Sequence, residues 1–144
     1  MTAPNVLPDP TTEAGARVVD RLERELIGWL TTVTPAGQPQ ASAVWFHWTG
    51  GEIVVYSRAG TPRTRNIAAN PHVSFNLNSD AEGDEIVTFE AEALIDPNAL
   101  GAANDGVFIA KYRRLIDGYG WTPEKYQADY PAVIRIRPTR LRLG

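Results

Sequence analysis

The segment SRAGTPRTRNIAANP, residues 57–71, concentrates basic and hydroxyl side chains in a few positions. Its basic and hydroxyl members are Ser57, Arg58, Thr61, Arg63, Thr64 and Arg65. Arginine binds phosphate or carboxylate groups through two parallel hydrogen bonds, and hydroxyl groups donate further ones. Pro62 suits the first turn of a helix, and the amino end of a helix attracts negative charge. The segment therefore indicates an anion site, but an exposed turn kept soluble by its arginines explains the same residues.

Large aromatic side chains follow one another in VWFHW, residues 44–48. Trp45, Phe46 and Trp48 offer planar surfaces against which the ring of a cofactor could lie. Aromatic side chains more often serve core or subunit packing, and that interpretation stays open for each of the three.

Arginine recurs in the last strand-like run, AVIRIRPTRLRL, at positions 135, 137, 140 and 142. Alternation puts these side chains on one face of a strand, where they are solvated. Nucleic-acid binding through this face is the competing interpretation. The chain has 14 Lys and Arg against 17 Asp and Glu, a formal net charge of −3. This acidic balance argues against a nucleic-acid partner.

Several kinds of site are excluded by what the sequence lacks. The chain has no cysteine, so disulfides, thiolate catalysis and cysteine metal sites cannot form. His47 and His72 are the only histidines and have no metal-ligand spacing around them, so we expect no metal. Dinucleotide, phosphate-loop and nucleophile-elbow motifs are absent from the sequence. Without a long apolar run or a signal-like amino terminus, we expect a cytoplasmic protein with no membrane partner.

The elements that must position these residues are mainly β. Strands are predicted at 27–33, 39–48, 52–57, 72–78, 85–95 and 132–143, with a bend or bulge at Pro138. Helices are predicted from an Asp9 cap to about Glu25, at 62–69 and over most of 97–117, and a loop with one helical turn at 118–131. Short turns and alternation favour an antiparallel barrel flanked by helices. One domain is expected at 11–144, after a flexible arm at 1–10.

The run VYSRAGTPRTRNIAANPHVSFNL, residues 55–77, resembles the central motif of the pyridoxamine 5′-phosphate oxidase-like family. The resemblance extends more weakly from about Leu26 to Ala93. It implies a split β-barrel of antiparallel strands, the fold of FMN-binding proteins. It also implies a homodimer with cofactor sites at the subunit interface.

Two branches of that family differ at the basic turn. The oxygen-using branch, which binds FMN, usually reads Ser-Arg-Lys where this chain has Thr61, Pro62 and Arg63. The branch that uses the deazaflavin coenzyme F420 carries a Lys/Arg-Thr-Arg-Asn motif, matched here by residues 63–66. Resemblance to the F420 branch implies a cofactor site formed by Ser42, Val44, Trp45, Phe46, Tyr56, Ser57, Thr61, Pro62, Arg63, Arg65 and Asn66.

The same resemblance implies a division of roles. Arg63 would hold the cofactor phosphate, with hydrogen bonds from Thr61 and Ser57, while residues 42–46 would border the ring. Arg65 and Asn66 would fix the loop or reach the acidic tail of the cofactor. Arg58 gains no role and is expected to be a surface residue.

The implied activity is that of an F420-dependent oxidoreductase, which transfers hydride between the reduced deazaflavin and a small organic acceptor. In such a reaction the cofactor carries the hydride, so the protein must bind and orient the cofactor and needs no nucleophile of its own. An FMN-binding oxidase or reductase of the same fold is one alternative, and a non-catalytic carrier of the cofactor is another. We expect the substrate pocket to involve the barrel, the loop around Trp121 to Tyr130 and the partner subunit.

Overall fold

The computed structural model describes residues 6–144, and seven strands account for most of its regular structure. The strands are β1 Gly28–Val33, β2 Pro39–Val44, β3 His47–Thr49, β4 Glu52–Ser57, β5 His72–Leu77, β6 Val87–Ile95 and β7 Ala132–Leu143. The helices are α1 Glu13–Arg24, α2 Pro62–Ala69, α3 Gly106–Gly118 and α4 Pro123–Asp129, with a short 3₁₀ turn at Ala102–Asn104. The predicted mainly β architecture with flanking helices is confirmed.

All neighbouring strands pair antiparallel in one sheet of order β2-β1-β5-β6-β7-β4-β3. The two edge strands, β2 and β3, are separated along the chain by Trp45 and Phe46 alone. Because so short a link must join the two edges, the sheet curls into a half-barrel. This is the split-barrel fold that the family resemblance implied.

The barrel core follows the predicted alternation of the strands. In β6, Val87, Phe89, Ala91 and Ala93 are buried, while Glu90 between them is exposed. The last strand pairs with β6 through a register shift between Glu90 and Ala91 that leaves Ala91 opposite Pro138. The predicted irregularity at Pro138 is therefore confirmed, as proline cannot donate to the ladder.

The prediction of one strand over residues 39–48 was wrong, because the chain leaves the ladder at Trp45 and Phe46. The hydroxyl of Tyr112 in α3 accepts a hydrogen bond of 2.9 Å from the Phe46 N–H. Its own proton is shared between two carbonyl oxygens, that of Leu26 at 2.7 Å and that of Phe46 at 3.0 Å. A side chain thus replaces the neighbouring strand as the partner of this backbone. The break separates β2 from β3 and lets the two strands take opposite edges of the sheet.

The predicted start of α1 at an Asp9 cap was also wrong. Thr12 is the N-cap, and its hydroxyl accepts a hydrogen bond of 3.0 Å from the Gly15 N–H. Asp9 instead accepts a bond of 2.9 Å from the Thr11 N–H in a turn before the helix. Of the expected arm at 1–10, residues 1–5 lie outside the described residues, and Pro8 is buried.

Helical structure near the carboxyl terminus is distributed differently from the prediction. Residues 97–101 lie outside helices, and α3 begins only at Gly106. The segment predicted as a loop with one turn contains the seven-residue α4, capped by Thr122, whose hydroxyl accepts from the Lys125 N–H at 3.1 Å. Thr122-Pro123-Glu124 is a strong signal for a helix start, which the aromatic and glycine residues around it obscured.

A second cluster of buried residues lies outside the barrel. The cluster consists of Val54, Tyr56, Ala102, Phe108, Ile109, Tyr112, Ile116, Tyr126 and Val133. Strand β4 supplies both clusters, because Ile53 and Val55 face the barrel core while Val54 and Tyr56 contact the helices. This arrangement fixes α3 and α4 against the outside of β4 and β7, beside the basic turn.

Candidate functional site

A cavity of about 380 Å³ lies where the basic turn, the ends of β2 and β4, and the α3–α4 region meet. Five of the residues predicted to bind a cofactor line it, namely Val44, Trp45, Tyr56, Thr61 and Arg63. The other lining residues are Ala43, Arg58, Tyr119, Trp121, Tyr126 and Tyr130. No acidic side chain is among these lining residues, so the cavity suits an anionic or neutral ligand better than a cation.

Arg63 is the half-buried cation of this cavity. Its Nη1 donates a hydrogen bond of 3.1 Å to the Oγ of Ser57, a side chain with no exposed surface. Within the described part of the chain, no carboxylate lies within 4.0 Å of the guanidinium. Burial lowers the pKa of Arg63 from its ordinary value, a sign that the charge lacks full solvation. An anion in the cavity would supply the missing partner.

The amino end of α2 offers fewer free donors than the sequence indicated. Pro62, at the first position, has no N–H, and the N–H of Thr64 donates to the Thr61 hydroxyl at 3.3 Å. The Thr61 hydroxyl itself points to Thr64, with the two oxygens 3.2 Å apart. Thr61 therefore caps the helix, and the Arg63 guanidinium is the stronger donor group at this position.

Arg65 and Asn66 hold the turn in place. The Arg65 Nη1 donates to the Gly60 carbonyl within the turn. Asn66 is buried, and its Nδ2 donates bonds of 3.0 Å to Thr32 in β1 and to Gln40 in β2. These contacts fit the loop-fixing role that the resemblance implied, while contact with a cofactor stays a prediction for both residues.

Ser42 and Phe46 lie apart from the main cavity. Ser42 lines a neighbouring open groove of about 500 Å³, which also includes Thr61, Pro62 and Arg63. Arg63 thus borders both spaces. Phe46 has no exposed surface and packs edge-on against Phe75 in the barrel core, with ring centroids 5.0 Å apart. Four of the predicted site residues line neither space, namely Phe46, Ser57, Arg65 and Asn66.

Arg58 is a second cation in the cavity. The sequence analysis gave this residue no role in the site. Its side chain is exposed, as expected, yet it lines the cavity and lies over the ring of Tyr130, with its Cζ 4.7 Å from the centroid. Tyr130 is 72 positions away in the chain. No local spacing could have revealed this contact, because it depends on the docking of α4.

An aromatic column forms one wall of the cavity. Tyr112 and Trp45 stack with centroids 4.5 Å apart, Trp45 and Tyr126 at 5.5 Å, and Tyr126 and Tyr130 at 4.5 Å. Interplanar angles along the column are 4°, 7° and 22°. Trp121 leans against Trp45 and Tyr126, with centroids at 6.3 and 6.2 Å. The side chains brace one another, and because the rings of Trp45 and Tyr126 are covered on both faces, they turn their edges to the cavity as a preformed wall.

A buried polar cluster lies behind Tyr56. The Tyr56 Oη donates a bond of 2.5 Å to Asp105, and the same carboxylate oxygen lies 2.8 Å from the His47 Nε2. The other oxygen of Asp105 caps α3 by accepting from the Phe108 N–H at 3.1 Å. Burial raises the pKa of Tyr56 and lowers that of His47, so both groups are neutral near pH 7. The cluster fixes β3, β4 and α3 relative to one another.

Other kinds of site find no support in the structure. No group of three or more His, Asp or Glu side chains suited to a metal ion occurs in residues 6–144. Among the helices of those residues, none combines the length and apolar character of a membrane span.

Comparison with known proteins identifies one matching family and several similar structures, whose names mention different cofactors. The sequence matches the family described as pyridoxamine 5′-phosphate oxidase over residues 15–143. An F420 reductase of known structure is 30% identical, with 85% of this chain and 94% of that one covered and a TM-score of 0.63. Two further matches show likeness of fold alone. These are a heme storage protein from Vibrio cholerae, 17% identical (92% and 95% covered, TM-score 0.65), and a FAD-binding protein from Mesorhizobium loti, 15% identical (88% and 88% covered, TM-score 0.64).

Proposed function

We propose that this chain, which belongs to the pyridoxamine 5′-phosphate oxidase family, is an F420-dependent oxidoreductase. It would transfer hydride between the reduced deazaflavin and a small organic acceptor. The observation that carries the proposal is Arg63, a half-buried guanidinium with no carboxylate partner among residues 6–144, in a cavity with a preformed aromatic wall.

The residues of the cavity fit the phosphate of such a cofactor. Arg63 presents N–H donors, and Ser57 fixes its side chain from the protein side at 3.1 Å. A dianionic phosphate would complete the hydrogen bonding of the guanidinium and restore the solvation that burial removes. Because no acidic side chain lines the cavity, the phosphate would meet no repulsion from the lining residues.

The remaining lining residues fit a ring system. Ala43, Val44 and Trp45, three residues without charge, border the cavity at the end of β2. When bound, the reduced deazaflavin supplies the hydride. The chain would hold the ring against this border, exclude water with the Trp121 and Tyr126 side chains, and leave one face open to an acceptor.

Deazaflavin is preferred to FMN on two grounds. Residues 63–66, Arg-Thr-Arg-Asn, match the motif of the F420 branch, and the F420 reductase is 30% identical over most of both chains. In addition, the family resemblance implies an arginine and a lysine on the preceding strand of the oxygen-using branch, where this chain has Ser42 and about His47.

A side-by-side titration of the purified chain with F420 and FMN tests the cofactor. We expect micromolar or tighter binding of F420 and weaker binding of FMN. Tight FMN binding with no F420 binding would favour the FMN alternative and contradict the proposal that F420 is the cofactor. Turnover of reduced F420 is then measured with enones, quinones and nitro compounds. Tight F420 binding without turnover of any acceptor would favour the carrier alternative.

We further propose that the functional unit is a homodimer. Strand β2 is an edge strand whose residues Pro39, Gln40, Ala41 and Ala43 are exposed beside the open groove around Ser42. A second copy of the chain could cover this edge and close the groove over a cofactor, as the family resemblance implies. Sedimentation analysis with and without F420 checks the oligomeric state, and a monomer under both conditions would contradict it.

A further inference from the structure

From the second cation of the cavity, we infer that the acceptor site recognises a planar molecule that carries a carboxylate, and that Arg58 binds that carboxylate. This inference rests on the proposed function, because it assigns Arg63 to the cofactor phosphate and leaves Arg58 for the substrate. It goes beyond the cofactor to the chemical class of the acceptor.

Arg58 is held in place without being neutralised. Its guanidinium lies 4.7 Å from the Tyr130 ring centroid, and its Nη2 makes only a long contact of 3.5 Å with the Tyr130 hydroxyl. In the described residues, no carboxylate approaches it within 4.0 Å. Stacking on an aromatic face orients a guanidinium while leaving its in-plane N–H donors available. Arg58 is therefore a positioned donor for a carboxylate ligand.

The two arginines of the cavity differ in their surroundings. Arg63 is half-buried and bound to Ser57, beside the cap of α2 and the groove around Ser42. Arg58 is exposed and bound to the α4 side of the cavity through Tyr130. Arg63 is held from the protein side by Ser57, whereas Arg58 is held only through an aromatic ring and opens to solvent. This difference is the reason for assigning the two arginines to separate anions in the inference.

An aromatic pair, the exposed Tyr119 and the partly buried Trp121, completes the ligand description. Tyr119 is 60% exposed yet lines the cavity, and its ring stacks on Trp121 with centroids 4.7 Å apart. Gly120 between them has φ 72°, which turns the chain so that the two rings can lie together. An aromatic surface left in water beside a cavity gains free energy when a flat apolar ligand covers it. The acceptor is thus planar as well as anionic.

The test uses 2-naphthoate and its uncharged isostere 2-naphthamide, titrated by calorimetry into the full chain with and without F420. We expect wild-type protein to bind naphthoate about tenfold or more tightly than naphthamide, the scale of a hydrogen bond to a charged group. Arg58→Gln should abolish that preference and leave naphthamide binding unchanged. Arg114→Gln is the matched control, because Arg114 is also exposed and unpaired within residues 6–144 but lies outside the cavity. Thermal unfolding of each variant shows that the fold is intact.

Four results would overturn the inference. Naphthoate could fail to bind, or could bind no better than naphthamide. Arg63→Gln rather than Arg58→Gln could remove the preference. Arg58→Gln could weaken F420 while leaving naphthoate unchanged, which would assign Arg58 to the acidic tail of the cofactor. Failure of F420 to bind, with the Arg58-dependent preference intact, would instead contradict the proposed function and leave the planar anion site standing.

Discussion

Two groups of arginine residues in this molecule have opposite surroundings. On β7, Arg135, Arg137, Arg140 and Arg142 all lie within 4.0 Å of a carboxylate from Glu52, Glu90, Glu92 or Asp96. In the basic turn, Arg58, Arg63 and Arg65 have no such partner in the described residues. The chain has 12 arginines in all. Besides these three, only Arg114 lacks a carboxylate partner in the part of the chain that the structure describes.

The difference follows from how each group is placed. Cross-strand register sets Glu92 opposite Arg137 and Glu90 opposite Arg140, so the sheet itself pairs the charges of β7. The turn instead meets hydroxyl groups, carbonyl groups and aromatic rings. The chain contains 17 Asp and Glu residues, yet none of those described neutralises the positive charge of the turn. Unpaired cations around a cavity therefore support the proposal that their partner is a ligand, whereas neutralised cations on a strand fit a solvated face.

The largest expected effect comes from Arg63→Ala. Loss of the charged hydrogen bonds to phosphate should weaken F420 binding by about 1.5–3 kcal/mol, roughly 10- to 150-fold. Stability should change little, because the wild-type guanidinium is desolvated without an ionic partner. Fluorescence titration of F420 measures the affinity, and Arg137→Ala on β7 is the matched control. Equal F420 affinity in the two variants would mean that the arginine of the turn contributes no more to cofactor binding than the arginine of β7.

Local signals in the sequence predicted the parts of the site that are built locally. Thr61 and Pro62 mark the start of α2, and the structure places the helix at the predicted residues 62–69. The alternation of 87–95 puts Val87, Phe89, Ala91 and Ala93 on one face, and the structure buries that face. Both predictions succeeded because the deciding contacts, a helix cap and a strand period, lie within a few residues of each other.

Contacts between distant segments could not be predicted in the same way. The strand break at Phe46 depends on the Tyr112 hydroxyl, 66 positions away. The role of Arg58 depends on Tyr130, and the order of the stacked rings depends on how α3 and α4 dock. The sequence indicated that aromatic residues near 121–130 would contribute to a pocket. Which ring lies on which is fixed only by packing in three dimensions.

A smaller effect is expected from Ser57→Ala, which tests how Arg63 is held. The change removes the 3.1 Å hydrogen bond to the guanidinium and leaves the charge in place. We expect F420 affinity to fall by about 1 kcal/mol, roughly fivefold, because the side chain becomes less ordered. Ser79→Ala, an exposed loop position, serves as the control in the same titration. A loss as large as that of Arg63→Ala would mean that Ser57 contacts the phosphate itself.

Arg135→Gln should affect stability rather than binding. Arg135 lies 2.6 Å from Glu52 and 3.4 Å from Asp96, so its removal leaves two carboxylates without their partner. All three side chains are partly solvated, which limits the loss in unfolding free energy to about 0.5–1 kcal/mol. Urea denaturation at low and high salt measures it, and the loss should shrink as salt screens the pairs. A reduced F420 affinity in this variant would contradict the division between the two groups.

The smallest effect on stability is expected from the pair of Arg137 and Glu92. Arg137 is the most exposed arginine of β7, with 74% of its side chain exposed. A double-mutant cycle with Arg137→Gln and Glu92→Gln should give a coupling free energy of about 0.5 kcal/mol or less, measured by urea denaturation. So weak a coupling would show that pairing on β7 neutralises charge without holding the sheet together. A coupling above about 1.5 kcal/mol would make β7 arginines structural. Both groups of arginines would then form strong interactions, those of β7 with carboxylates of the same chain and those of the turn with a ligand.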